Sequence, residues 1–173
     1  MDYGMRNLIE KLTTDVISIF QIHYPIDNIY EIVERIGGEV FEDEGLSEYS
    51  DGFIQRMGDR FKIVVSQQQP RNRKNFTIAH ELGHLFLHMG YLIDDELWNK
   101  QGNLTYYRSG NSEQEYQANE FAAALLMPRE QYVRIMNQNS DGNTVYIDKV
   151  AEYFNVSINA ASNRGKWLGY LEW

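Results

Sequence analysis

One helix near the middle of the chain constrains the fold more than any other segment. Residues 74–89 place apolar side chains around most of a helical circumference, a pattern typical of a helix that is buried on nearly all sides. From Ile78 onward its polar residues form a single stripe, and burying such groups costs several kcal/mol unless a partner satisfies them. The stripe consists of His80, Glu81, His84 and His88.

The stripe contains the pattern His80-Glu81-Leu82-Gly83-His84. Two histidines four positions apart lie about 40° apart around a helix, so both can bind one ion. In zinc hydrolases with this pattern, the glutamate is the general base that takes a proton from the zinc-bound water. The pattern therefore predicts His80 and His84 as zinc ligands and Glu81 as the catalytic residue. The alternative is a core helix whose two histidines are hydrogen-bonded without a metal.

A catalytic zinc binds three protein ligands and leaves one position open. On the helix predicted over residues 112–127, Glu115 lies within about 60° of Ala118 and about 20° of Ala122. This small apolar face suits close packing against the histidine helix, so Glu115 is the predicted third metal ligand. A different face is predicted to be exposed to solvent, and it carries Glu113, Gln117 and Glu120.

Four further residues are candidates for supporting roles. His88 lies roughly 12 Å along the helix from His80, which is too far for a shared ion. We therefore interpret it as a packed histidine or as a support for the ligands. Asn119 lies near the face of Glu115 and is a similar candidate. Tyr106 and Tyr107 precede the Glu115 helix, and either is a candidate to stabilise the oxyanion that forms on the attacked carbonyl.

Composition and charge exclude several classes of function. The chain has no cysteine, which excludes disulfides and thiolate metal ligands. Its 16 basic and 25 acidic residues give a net charge of −9, which argues against a nucleic-acid partner. Residues 144–173 have the spacing of a two-helix DNA-reading unit, but their charges balance, so direct nucleic-acid binding is not expected. With no signal core and no long apolar run, we expect a cytoplasmic protein that does not contact a membrane.

Periodicity predicts an α+β fold. Apolar spacing predicts helices at about 5–22, 27–36, 74–89, 112–127, 128–137 and 147–154, with another starting after Ser157. Short alternating segments predict strands at about 40–41, 52–56 and 60–66, and Gly58-Asp59 predicts a hairpin turn between the last two. We interpret residues 90–112 as a functional loop. Strand 60–66 is either an edge that pairs with a peptide or plain scaffold.

Two motifs together resemble the ImmA/IrrE metallopeptidase family. The first is the run Asn75-Phe76-Thr77-Ile78-Ala79-His80-Glu81-Leu82-Gly83-His84-Leu85-Phe86-Leu87-His88, and the second begins Glu115-Tyr116-Gln117-Ala118-Asn119 and continues to Pro128. The resemblance implies a Zn²⁺ ion bound by His80, His84 and Glu115, with Glu81 as general base. It also implies a minimal zincin-like α+β domain, with about three antiparallel strands packed on helices and a C-terminal helix pair. We expect that domain to cover residues 1–140, with residues 141–173 as a helical extension packed on it.

The resemblance further implies a zinc-dependent endopeptidase that hydrolyses a peptide bond in a protein. Family members of this size are typically bacterial, phage or mobile-element proteins that cleave a helix-turn-helix transcriptional repressor. We therefore expect a repressor-like protein substrate and a role in transcription regulation. The alternative is a regulatory, protein-binding module without catalysis, in which the metal site is structural or vacant.

Overall fold

The structure is a computed structural model that describes residues 3–46, 51–101 and 113–172, together with the backbone of residues 105–107. The helices are α1 (Tyr3–Ile19), α2 (Ile29–Ile36), α3 (Arg71–Leu87), α4 (Asp95–Lys100), α5 (Glu113–Leu126), α6 (Arg129–Gln138), α7 (Ile147–Phe154) and α8 (Ile158–Trp167). The strands are β1 (Gly38–Asp43), β2 (Gly52–Met57), β3 (Arg60–Ser66), β4 (Thr105–Tyr107), β5 (Ser140–Asp141) and β6 (Thr144–Val145). The predicted α+β class and C-terminal helix pair are confirmed.

The main sheet has the strand order β1-β3-β2-β4, and it is mixed rather than wholly antiparallel. Strands β2 and β3 form the predicted hairpin around Gly58, whose φ of 64° suits a glycine in a tight turn. Two successive chain reversals return β3 to the direction of β1, so these two strands pair in parallel. Hydrophobic patterns do not specify strand direction, and for this reason the expectation of antiparallel pairing fails at β1.

The predicted loop over residues 90–112 contains two elements that periodicity did not indicate. Helix α4 begins after Asp94, whose side chain accepts a hydrogen bond from the backbone N–H of Leu97. Strand β4 pairs with β2 at one edge of the sheet. Both elements are too short to show a hydrophobic period.

Strand β3 lies between β1 and β2, so the idea that it is a free edge for a peptide is wrong. Its side chains are mostly buried, with Ile63 and Val65 fully so, which is expected of a central strand covered on both faces. The strand is scaffold beneath α3.

Helices α3 and α5 pack closely at the centre of the fold. A Cβ atom at Gly83 would lie 2.9 Å from the Ala118 Cα atom and 3.2 Å from the Phe121 Cβ atom. Only a glycine allows the two backbones to approach this far. The helix that carries the histidines and the helix that carries Glu115 are therefore held in direct contact.

The C-terminal helices share the core of the rest of the chain. Val150, Phe154 and Ala161 belong to the same buried cluster as Leu82 and Leu85 of α3. We propose on this basis that residues 141–173 are a helical extension packed on a zincin-like domain of residues 1–140. None of the helices in the described part of the chain is long and apolar enough to cross a bilayer.

Candidate metal centre

Three predicted ligands converge in the structure. The Nε2 atoms of His80 and His84 lie 3.0 Å apart. Glu115 places Oε2 3.3 Å from Nε2 of His80 and Oε1 3.3 Å from Nε2 of His84. Tetrahedral ligands at zinc bond lengths of about 2.0–2.2 Å are separated by roughly 3.4 Å. The three side chains therefore have the donor atoms and the spacing to hold one metal ion.

The packing of α3 against α5 positions this cluster. His80 and His84 are each 1% exposed, because α3 is buried along most of its length. The Glu115 side chain is 13% exposed, so the cluster meets solvent on the side of α5. A catalytic metal keeps one position open to water, and Glu115 is the member of the cluster that meets solvent most.

The second ring nitrogen of each histidine is also engaged. Nδ1 of His80 lies 2.9 Å from Oδ1 of Asn119, which can only accept a hydrogen bond. The proton of the neutral His80 ring is therefore on Nδ1, and the Nε2 lone pair faces the cluster. A hydrogen bond of this kind fixes the tautomer and orientation of a metal-binding histidine.

The side chains of His88 and Gln117 together fix the tautomer of His84. Nδ1 of His84 lies 2.9 Å from Nδ1 of His88, and Nε2 of His88 lies 3.0 Å from Oε1 of Gln117. Since this Gln117 oxygen accepts, His88 donates from Nε2 and accepts at Nδ1. His84 must then donate from Nδ1, which leaves its own Nε2 lone pair for a metal.

This arrangement needs a neutral His88 ring. Burial lowers the pKa of His88 below the usual range for histidine, and the hydrogen bond with Gln117 opposes that change only partly. The ring is thus neutral at neutral pH and can accept the proton of His84. As expected from its position along α3, His88 lies beside the ligand cluster and is not in it.

Glu81 follows His80 on α3 and is 1% exposed. In sequence it lies between His80 and His84, as in the His-Glu-x-x-His pattern. Tyr106 and Tyr107 lie on β4, opposite Ile54 and Phe53 of β2. Their side chains lie outside the described residues, so their role at the oxyanion stays a prediction.

The expectation that Gln117 and Glu120 are solvated was wrong. Gln117 is half-buried against His88, and Glu120 is 8% exposed. Glu120 lies 3.3 Å from Arg6 of α1 and 3.4 Å from Arg164 of α8. In a sequence, polar residues that recur at helical spacing look like a face exposed to solvent. Their burial becomes evident only when partners from distant parts of the chain are known. Of the three residues assigned to that face, Glu113 is exposed.

Arg164 is the centre of a buried ion cluster that joins three helices. Its side chain is 1% exposed and forms ion pairs with Glu10 of α1 and Glu120 of α5. Its Nε atom also donates to the backbone oxygen of Met127, just after α5. The cluster fixes α8 against the helix that carries Glu115.

The comparison with known protein families identifies the family of the chain. Residues 33–166 match the Peptidase_M78 family, the IrrE N-terminal-like domain. The chain belongs to this family. Membership makes this IrrE-like chain a protein of the metallopeptidase kind, in agreement with the resemblance seen in its two motifs. No curated protein matches the chain.

A search of solved structures finds a similar fold. A Mycobacterium tuberculosis transcriptional regulator superposes with a TM-score of 0.62 at 18% sequence identity. The match covers 94% of the IrrE-like chain but 48% of the regulator. The chain thus spans about half the length of that protein, and the likeness concerns the fold.

Proposed function

We propose that this protein is a zinc-dependent endopeptidase. The observation that carries the proposal is the convergence of His80, His84 and Glu115 donor atoms, with each histidine presenting Nε2. Two imidazoles and one carboxylate that reaches solvent favour zinc among the common metals. Family membership supports the metallopeptidase class.

Each residue has a distinct task in this proposal. His80, His84 and Glu115 would hold the zinc ion, which would polarise the scissile carbonyl and make a water molecule more acidic. Glu81 takes a proton from the attacking water and later passes it to the leaving amine. Asn119 orients His80.

Three other residues complete the site in the proposal. His88 orients His84 through the contact between their Nδ1 atoms. Tyr106 or Tyr107 stabilises the oxyanion, since the strand that carries them precedes the Glu115 helix.

We further propose that the substrate is a helix-turn-helix transcriptional repressor in the cytoplasm of a cell that carries a phage or mobile element. The support is the resemblance to ImmA/IrrE proteins and the fold shared with a transcriptional regulator. Direct nucleic-acid binding by this chain is not part of the proposal, because its charge of −9 opposes phosphate contacts.

Metal content tests the site. Elemental analysis of the purified wild type should find about one zinc per chain. Glu115→Ala should lose it, because the cluster is left with two ligands. Glu113→Ala is the matched control, since Glu113 lies on the same helix but is exposed. Equal metal content in both variants would contradict the assignment of Glu115.

Glu81→Gln separates catalysis from metal binding. The amide keeps the size of the side chain but cannot accept the proton, so hydrolysis of a candidate repressor should stop while zinc stays bound. The alternative function is a regulatory binding module without catalysis. No hydrolysis by the zinc-loaded wild type would favour that module, whereas equal hydrolysis by Glu81→Gln and wild type would contradict the role of Glu81 as general base.

A further inference from the structure

A groove of about 890 Å³ lies between four helices beside the metal centre. Helices α3 and α5 contribute one wall, and α8 contributes the other, with Arg6 of α1 at one end. The groove is outside the residues that either motif indicates as catalytic. Its aromatic and amide lining residues include Phe76, Tyr116, Asn119, Asn159, Asn163 and Trp167.

The groove adjoins His80 on the side of its Nδ1 atom, and none of the three predicted ligands lines it. Asn119 lines it and contacts His80 directly. Phe76 precedes His80 by about one helical turn, or roughly 6 Å along α3. An extended chain advances about 3.3 Å per residue, so about two residues of a peptide cover this axial distance.

The charges that line the groove are already paired. Arg73 lies 2.8 Å from Asp51, and Arg6 lies 3.3 Å from Glu120. Arg164 is paired with Glu120 and with Glu10. Among the residues that the structure describes, the lining therefore offers no uncompensated charge to a phosphate or to an acidic side chain. An occupant without charge fits it best.

Amides and aromatic rings make up the accessible lining. Asn159 and Asn163 are exposed on α8, and each side-chain amide has both donors and an acceptor, as a peptide backbone does. Tyr116 is 56% exposed and Trp167 is 49% exposed, which is high for such large side chains. Arg6 lies 4.0 Å from the centre of the Trp167 ring and holds it at the groove.

We propose that this groove binds the segment of the protein substrate next to the scissile bond, as an extended peptide with a large apolar side chain. The peptide backbone pairs with the amides of α8, and the apolar side chain lies among the aromatic rings. The aromatic rings of α3, α5 and α8 thus determine sequence preference. The proposal rests on the proposed endopeptidase function, and it names the substrate class.

Binding is tested on the full chain carrying Glu81→Gln, so that no peptide is hydrolysed. The probe is acetyl-Ser-Gly-Phe-Leu-Gly-Ser-amide, followed by shifts of backbone amide signals in NMR spectra. The signals of residues 159–163 should move on titration. They should stay fixed with peptides in which Phe-Leu is replaced by Ser-Gly or by Asp-Asp. Fixed signals with the apolar probe would overturn the proposal, as would equal shifts with all three peptides.

Two matched variants locate the binding site. Asn163→Trp fills the groove, whereas Asn137→Trp adds the same side chain at an exposed position on α6. The apolar probe should bind at least about tenfold more weakly to the first, equivalent to ~1.4 kcal/mol, and normally to the second. Equal affinity in both would overturn the proposal.

The two proposals fail in different ways. If the zinc-loaded wild type cleaves a repressor but the probe leaves the groove signals unchanged, the endopeptidase function stands and the groove assignment falls. If the probe binds in the groove but no substrate is hydrolysed, the endopeptidase function falls and the groove is a peptide-binding site. In cleavage assays of the active enzyme, Asn163→Trp should raise KM while kcat changes little.

Discussion

Replacing Gly83 by alanine tests whether the contact between α3 and α5 controls the metal centre. The added Cβ atom would lie 2.9 Å from the Cα atom and 3.0 Å from the carbonyl oxygen of Ala118. Both are backbone atoms, so no side-chain rotation relieves the contact. Since ordinary contacts start at 3.4 Å, the helices must separate by about 0.5 Å.

Two effects of opposite sign determine the stability of Gly83→Ala. Alanine is favoured over glycine in a helix by about 1 kcal/mol. Overpacking a core typically costs 1–3 kcal/mol. We expect the cost to exceed the gain, so the free energy of unfolding of the metal-free protein should fall by about 1 kcal/mol.

We expect Gly83→Ala to affect zinc affinity more than it affects the free energy of unfolding. Glu115 is on α5 and both histidines are on α3, so the separation moves one ligand about 0.5 Å from the other two. Zinc sites hold their ligand distances to about 0.2 Å. We expect the zinc dissociation constant of Gly83→Ala to rise by about tenfold.

Denaturant unfolding of the metal-free protein and zinc competition with a chromophoric chelator measure the two quantities. Gly4→Ala is the control, because Gly4 is exposed on α1 and the substitution there changes helix propensity without touching α5. A Gly83→Ala protein that is more stable than wild type and binds zinc equally well would refute the argument from helix contact.

Three further outcomes follow from the buried polar contacts. Arg164→Met should lower the free energy of unfolding by about 3–5 kcal/mol in urea titrations, because it leaves the buried carboxylate of Glu120 short of a partner. Gln117→Leu should weaken zinc binding about 10–100-fold in chelator competition with little change in metal-free stability, and Gln117→Glu, which keeps an acceptor oxygen, should restore it. Asn119→Leu should weaken zinc binding similarly, whereas Asn119→Asp should not.

The sequence predicts the ligand cluster because the relevant signals are local. His80 and His84 are one helical turn apart, and Glu115 is one turn from the small residues that face α3. Helix geometry and composition were sufficient to predict that all three converge. The same local reasoning predicts the hairpin and every described helix except α4, since their apolar residues recur at a regular spacing.

The features that the sequence did not predict depend on partners far along the chain. Glu120 is buried because Arg164 and Arg6 lie beside it, and neither is near it in sequence. Gln117 is half-buried because His88 reaches it from α3. The direction of β1 and the pairing of β4 are also set by contacts between distant segments.

Helix α5 connects these features, because each of its faces contacts a different part of the site. Glu115 and Asn119 contact the histidines, Gln117 contacts His88, and Glu120 contacts the arginines of α1 and α8. Such a helix has no continuous apolar stripe. The sequence pattern of the helix also does not reveal which distant residues its polar side chains contact. Because the ligand and the groove wall are on one rigid helix, a peptide that shifts α5 must also shift Glu115. Occupancy of the groove and zinc affinity should therefore be linked.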